Sequence, residues 1–236
     1  MLLEKIIDRL PDFTTPDQVL VCEADFLGLR GAVMRKNGEL LNVSQEVYSE
    51  AIDLSNAVKE LVEQARSKGW KGKHAILLNP AVTLTVLELN IPPSNKLSPQ
   101  QMAEAVNWEL ESMLMQHQHL RIGQILIANK FLKAEQVDAI LLEQEAANKS
   151  KERASTYKKL GEFAKELGYI SQHQLEQCLV RQAWFKPVGD ATHSNWMPQE
   201  QTDKMNTQLF PWLVAGMSKG LLMKLQAAFS QQAVNL

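Results

Sequence analysis

The residues best placed to do chemistry in this chain occur twice. Residues 121–144 read RIGQILIANKFLKAEQVDAILLEQ and residues 159–182 read KLGEFAKELGYISQHQLEQCLVRQ, which sets Arg121 against Lys159 at an offset of 38. The same offset pairs Ile122 with Leu160, Gly123 with Gly161, Phe131 with Tyr169, Leu132 with Ile170, Val137 with Leu175, Leu141 with Leu179 and Gln144 with Gln182. A cation, a glycine and a terminal amide recurring in register are groups for binding, with no nucleophile among them. Two generic amphipathic hairpins would account for the aliphatic matches. They account less well for the glycines, because glycine inside a helix-forming sequence costs about 1 kcal/mol against alanine. Something must approach the backbone closely there.

The rest of the sequence shows no recognisable catalytic set. His117 and His119 lie two apart, on different sides of a helix, which suits a solvated helix end better than a shared metal. The sequence has no GxxxxGK[ST], GxSxG or HExxH, and Asp25-Phe26-Leu27-Gly28 makes a poor phosphate loop. Cys22 and Cys178 lack any ligand spacing and read as two buried thiols in a reducing compartment. No enzyme activity, metal or cofactor is expected.

The elements that must position these residues change style near residue 120. Before it, Val19–Ala24, Leu29–Met34 and Glu39–Val43 read as strands, the last two flanking an Asn37-Gly38 hairpin pair. Leu54, Val58, Leu61, Val62 and Ala65 mark a helix that stops at Lys68-Gly69. Ala75–Leu78 and Thr83–Leu89 follow as strands, and Ser98-Pro99 opens a helix through about Met115. After residue 120 the strand signals vanish, and each copy of the repeat reads as helix, turn, helix. The expected fold class is α+β, a small α/β subdomain (1–118) followed by an all-helical tandem-hairpin domain (119–186) and a C-terminal extension with an amphipathic helix (187–236). That last stretch either packs its aromatics Trp196, Phe210 and Trp212 on the body or lies on a membrane surface or partner.

Composition limits the partners. Of 236 residues, 45% are hydrophobic and 22% charged, which excludes general disorder. A net charge of -2 gives no field for nonspecific nucleic-acid binding, so any anion site must be local. The run Lys149, Lys151, Arg153, Lys158, Lys159 against the single acid Glu152 reads as a solvated linker that could also concentrate anions. The N-terminus breaks its apolar positions with charges, unlike a secretory signal, and Leu209–Phe229 is too interrupted to span a membrane. A cytoplasmic protein is expected.

The tandem pattern of residues 120–185 resembles the N-terminal cyclic-di-GMP-binding domain of type IV pilus and type II secretion assembly ATPases, the MshEN type. That resemblance implies one half-site per copy for a two-fold symmetric dinucleotide. Arg121 and Lys159 would meet charge or guanine edges, and Gly123 and Gly161 would allow close approach. Ile122, Leu126, Ile127, Leu132, Leu160 and Ile170 would form an apolar bed, and Gln144 and Gln182 would supply amide hydrogen bonds. The motif's middle glycine is kept as Gly168, while Lys130 replaces it in the first copy. Ala164 and Lys165 stand where two aliphatics are expected, and Lys159 lacks the planar fork of arginine.

The first half (VCEADFLGLRGAV, then IPPSNKLSPQQMAEAVNWELESML) resembles the first subdomain of actin-like pilus and secretion assembly proteins of the PilM, GspL and MshI type. Together the resemblances imply a bacterial, non-enzymatic regulatory adaptor that binds cyclic-di-GMP and contacts pilus or secretion assembly proteins. The alternative is a ligand-free interaction module of the same machinery. No nucleic-acid polymer is expected as a partner, and peripheral contact with a membrane is left open.

Overall fold

A computed structural model describes residues 18–37, 40–95, 97–117, 121–150, 159–189, 191–199 and 209–236. His119 and most of the basic run between the repeats, 151–158, lie outside the described residues, as do the N-terminal segment read against a secretory signal and the tip of the Asn37-Gly38 hairpin. The chain forms two compact units, 1–78 with 225–236, and 79–224.

The first unit is built on a four-stranded sheet of order β3-β2-β1-β4. Strand β1 (Gln18–Ala24) pairs antiparallel with β2 (Leu29–Asn37), β2 pairs antiparallel with β3 (Leu40–Ser49), and β4 (Ala75–Leu78) returns parallel to β1. A parallel neighbour needs a crossover, and helix α1 (Leu54–Ser67) supplies it. Asp53 caps its start by accepting from the Asn56 N–H at 3.0 Å. Its end is closed by Gly69, at φ +88°, and the Trp70 N–H donating to Ala65 O. Leu54, Ala57, Val58, Leu61, Val62 and Ala65 form its buried stripe, and Leu20, Cys22, Ala24, Leu29, Val33, Val47 and Ala75 are the buried apolar strand residues described in the same unit. The C-terminal residues rejoin this unit at the β4 end, where the Ala75 N–H donates to Asn235 O at 2.8 Å.

The second unit holds a three-stranded antiparallel sheet of order β5-β7-β6: β5 is Thr83–Leu89, β6 is Thr192–Pro198 and β7 is Phe210–Ser218. Helix α2 (Pro99–His117) lies on it. Ser98 and Gln101 form a reciprocal capping box at its start. Met102, Val106, Leu110 and Leu114 join Leu87, Leu89, Trp212 and Val214 in one core, with Trp196 and Phe210 packed against it.

The strands β6 and β7 overturn the expected fold class. Among the described residues seven helices are interleaved with two sheets totalling seven strands, so no all-helical domain follows an α/β subdomain. Helices α3 (Ile122–Ala128), α4 (Ala134–Ser150), α5 (Leu160–Glu166) and α6 (Gln172–Gln182) are instead inserted within a sheet that β5 begins and β6 and β7 complete. The 209–229 stretch divides into strand β7 and helix α7 (Lys219–Ser230). Its unbroken apolar start, FPWLVAGMS, is what a central strand requires, and periodicity alone does not separate such a run from a buried helix. Edge strand β6 (THSNWMP) has no apolar alternation to announce it.

Candidate functional site

The duplicated sequence folds into two copies of one backbone design. In each copy the first helix is seven residues long, and its third residue reaches back to the residue before the helix. The Arg121 N–H donates to Gln124 Oε1 at 3.3 Å, and the Lys159 N–H donates to Glu162 Oε2 at 3.1 Å. Neither Arg121 nor Lys159 has a side-chain acceptor to complete a reciprocal box, so both extend into solvent. The second helices open alike: the Lys133 N–H donates to Gln136 Oε1 and the Ser171 N–H to Gln174 Oε1, each at 2.8 Å.

Both short helices end in the same Schellman turn. The Phe131 N–H donates to Leu126 O and the Tyr169 N–H to Ala164 O, each at 2.9 Å. The residue between must be left-handed: Gly168 has φ +73° and Lys130 has φ +60°. The middle glycine of the motif is therefore the helix-ending position, and Lys130 occupies it with backbone strain.

The paired glycines are filled by the protein itself. A Cβ on Gly123 would lie 3.2 Å from Val137 Cγ1. One on Gly161 would overlap Leu175 Cδ1, with Cδ2 at 3.3 Å. Val137 and Leu175 are themselves equivalents, so in both copies the glycine admits an aliphatic side chain from the second helix of its own hairpin. The close approach inferred from sequence is real, and a neighbouring helix makes it.

The two copies also meet. Helix α3 packs against α6, α4 against α5, and α3 against α5. Each copy's first helix thus touches the other copy's second helix, the reciprocal exchange expected of a local two-fold relation. The Gly123 Cβ position lies 3.6 Å from Leu160 Cδ1, which brings the start of one motif to the start of the other.

Around this junction the candidate residues divide by burial. Arg121, Lys159, Ile127 and Gly168 are exposed, Ile122, Leu160 and Gln182 are half-buried, and Gly123, Gly161, Leu126, Leu132, Ile170 and Gln144 are buried. A ligand at the surface thus has access to the two cations and Ile127, and to Ile122, Leu160 and Gln182 in part. Leu126, Leu132 and Ile170 are packed away from it. The pair Gln124/Glu162, and Gln136 as the equivalent of Gln174, went unread in the sequence although they sit at the same offset as the rest. It also left unremarked that Leu141-Leu142 and Leu179-Val180, again equivalent positions, are exposed.

Buried Cys178 lies on α6, where burial pushes its thiol up to about 11 against an opposing pull from Arg181. Arg181 is itself buried, with its guanidinium carbon 4.6 Å from the Trp184 ring centre. Cys22 in β1 is pushed by burial to about 12. Neither thiol is poised as a nucleophile at neutral pH.

In the first unit a hollow of about 560 Å³ is lined by Val21, Glu23, Arg30, Ala32, Glu46 and Tyr48, among others. The turn beside it cannot serve phosphate. The Leu27 and Gly28 N–H groups both donate to Asp25 Oδ1, at 2.7 and 2.9 Å, and Arg30 Nη2 donates to Asp25 Oδ2 at 2.7 Å. An internal carboxylate already uses the donors that an anion would need. No group of three or more metal-ligating side chains occurs among the described residues.

No family model matches the chain, and no curated protein is significantly similar to it. Among the described residues no helix is long and apolar enough to cross a membrane.

Proposed function

We propose that this protein is a non-enzymatic regulatory adaptor of a bacterial type IV pilus (MSHA-like) or type II secretion assembly system, acting in the cytoplasm, and that it binds cyclic-di-GMP where its two motifs meet. The observation that carries the reading is the reciprocal packing of the copies, with Gly123 of one against Leu160 of the other. A ligand with two guanines and two phosphates related by a two-fold axis is matched by two equivalent half-sites brought side by side. Arg121 and Lys159 supply one exposed cation from each half. The guanidinium can take a guanine edge or phosphate in bidentate fashion, and the ammonium acts as a point charge. Half-buried Gln182 offers the ligand an amide donor and acceptor, whereas its equivalent Gln144 is buried and supports the fold of its own copy.

The glycines contribute indirectly in this reading, by letting Val137 and Leu175 draw the hairpins tight enough for the half-sites to meet. The strand, hairpin, helix, strand order of the first unit supports the assembly-protein half of the proposal. Isothermal titration with cyclic-di-GMP tests the reading: saturable binding that weakens with salt is expected, and no heat at high micromolar ligand rejects it.

The second reading is a ligand-free docking module of the same machinery. The exposure of Leu141-Leu142 and Leu179-Val180 at equivalent places on α4 and α6 favours it, since such pairs offer apolar contact to a protein. It expects the same titration to be silent in a folded chain.

A further inference from the structure

We infer that Trp108 and the carboxylates beside it form a docking point for an arginine side chain of a partner protein, independently of the dinucleotide reading. Helix α2 spends its inner stripe, Met102, Val106, Leu110 and Leu114, on the core of its sheet. On its outer side Glu104, Trp108 and Glu111 fall at i−4, i and i+3, one above another in a single column. Trp108 is 78% exposed, the most exposed large apolar side chain among the described residues, whereas Trp70, Trp184 and Trp212 are buried. A hollow of about 360 Å³ opens at this column, lined by Glu104, Asn107, Trp108, Glu111 and Thr192. Ser194 Oγ donates to Asn107 Oδ1 at 2.7 Å and ties α2 to β6, so the floor of the hollow is held in place.

Charge selects the occupant. Helix α2 carries Glu104, Glu109 and Glu111 and has neither lysine nor arginine. The carboxylates of Glu104 and Glu111 on either side of Trp108 repel nucleic acid and anionic lipid and attract a cation. An indole face stacks best with a flat cation, and a guanidinium seated on it turns its edge N–H groups toward carboxylates above and below. Lysine offers the charge without the plane. The surface therefore suits a partner segment that presents an arginine.

The test uses the full chain, labelled so that its five indole N–H signals can be followed by nuclear magnetic resonance. The Trp108 signal is assigned by its loss in Trp108→Phe. The probe is the peptide acetyl-Gly-Arg-Gly-Arg-Gly-amide, and the control replaces both arginines with citrulline, which keeps the shape and removes the charge. The expected result is a saturable shift of the Trp108 signal with the arginine peptide, absent with citrulline. Glu104→Gln with Glu111→Gln should weaken it about tenfold while the other four indole signals stay in place. The inference is overturned by an equal response to citrulline, by no response at millimolar peptide, or by glutamine substitutions that leave the affinity unchanged. A Trp108 signal that moves with protein concentration alone would overturn it in favour of a second copy of this chain.

Discussion

Gly161→Ala separates a packing role for the motif glycines from a ligand-contact role. The added Cβ overlaps Leu175 Cδ1, while the equivalent atom in Gly123→Ala sits 3.2 Å from Val137 Cγ1, a fit that needs a shift of only a few tenths of an ångström. Overpacking of a tight interior typically costs about 1–3 kcal/mol. Alanine returns at most about 1 kcal/mol of helix propensity, less in the first turn of a seven-residue helix. Gly161→Ala is thus expected to destabilise by about 1 kcal/mol, and Gly123→Ala to fall between neutral and slightly stabilising. Urea denaturation of both variants gives the difference. A double-mutant cycle with Leu175→Ala then assigns the cause, because removing the obstructing methyls should abolish the Gly161→Ala penalty. Equal stability of the two alanine variants, or a cycle without coupling, would refute the packing account. So would a Gly161→Ala chain that keeps full stability and loses only ligand.

Other consequences are checked by the same denaturation assay. Lys130→Gly should stabilise the chain by about 1 kcal/mol, since it relieves a left-handed lysine, and Gly168→Ala should destabilise it by a similar amount. Asp25→Ala should cost about 1–2 kcal/mol, because the Leu27 and Gly28 N–H groups and Arg30 lose their shared acceptor. The Cys22 thiol, raised to about 12 by burial from an ordinary 9.0, stays protonated in the folded chain while the unfolded chain loses that proton. Its contribution is complete below pH 9 and is lost as pH rises from 9 towards 12. Above pH 9, Cys22→Ala should flatten the stability curve by about 1.4 kcal/mol per pH unit, read from urea midpoints.

Capping chemistry made much of the fold legible in advance. Lys68-Gly69 after Ser67 and Ser98-Pro99 mark the end of α1 and the start of α2, and both form; the caps by Asp53 and Gln101 come to light only in the structure. The alternation in Thr83–Leu89 likewise marks β5. The second sheet stayed hidden because its other two strands carry misleading patterns. Strand β7 is apolar along most of its length and carries Pro211, and β6 is polar at an edge, so only the pairing of β7 with β5 over a long sequence separation, and of β6 with β7, makes them strands. In the repeat, the offset of 38 located every structurally equivalent position. A glycine records only that something comes close. Whether that is a base, a phosphate or a methyl of Leu175 depends on how the helices cross, which residue types alone do not encode. Lys130 looked like a departure from the motif, yet it occupies the same left-handed position as Gly168.

Calorimetric titration of the whole chain with cyclic-di-GMP, run beside Arg121→Ala and Lys159→Ala, tests the central claim most directly. Saturable binding of one dinucleotide per chain is expected, lost in either variant while the urea midpoints hold. Silence at high micromolar ligand in a folded chain, or binding indifferent to both substitutions, would contradict it.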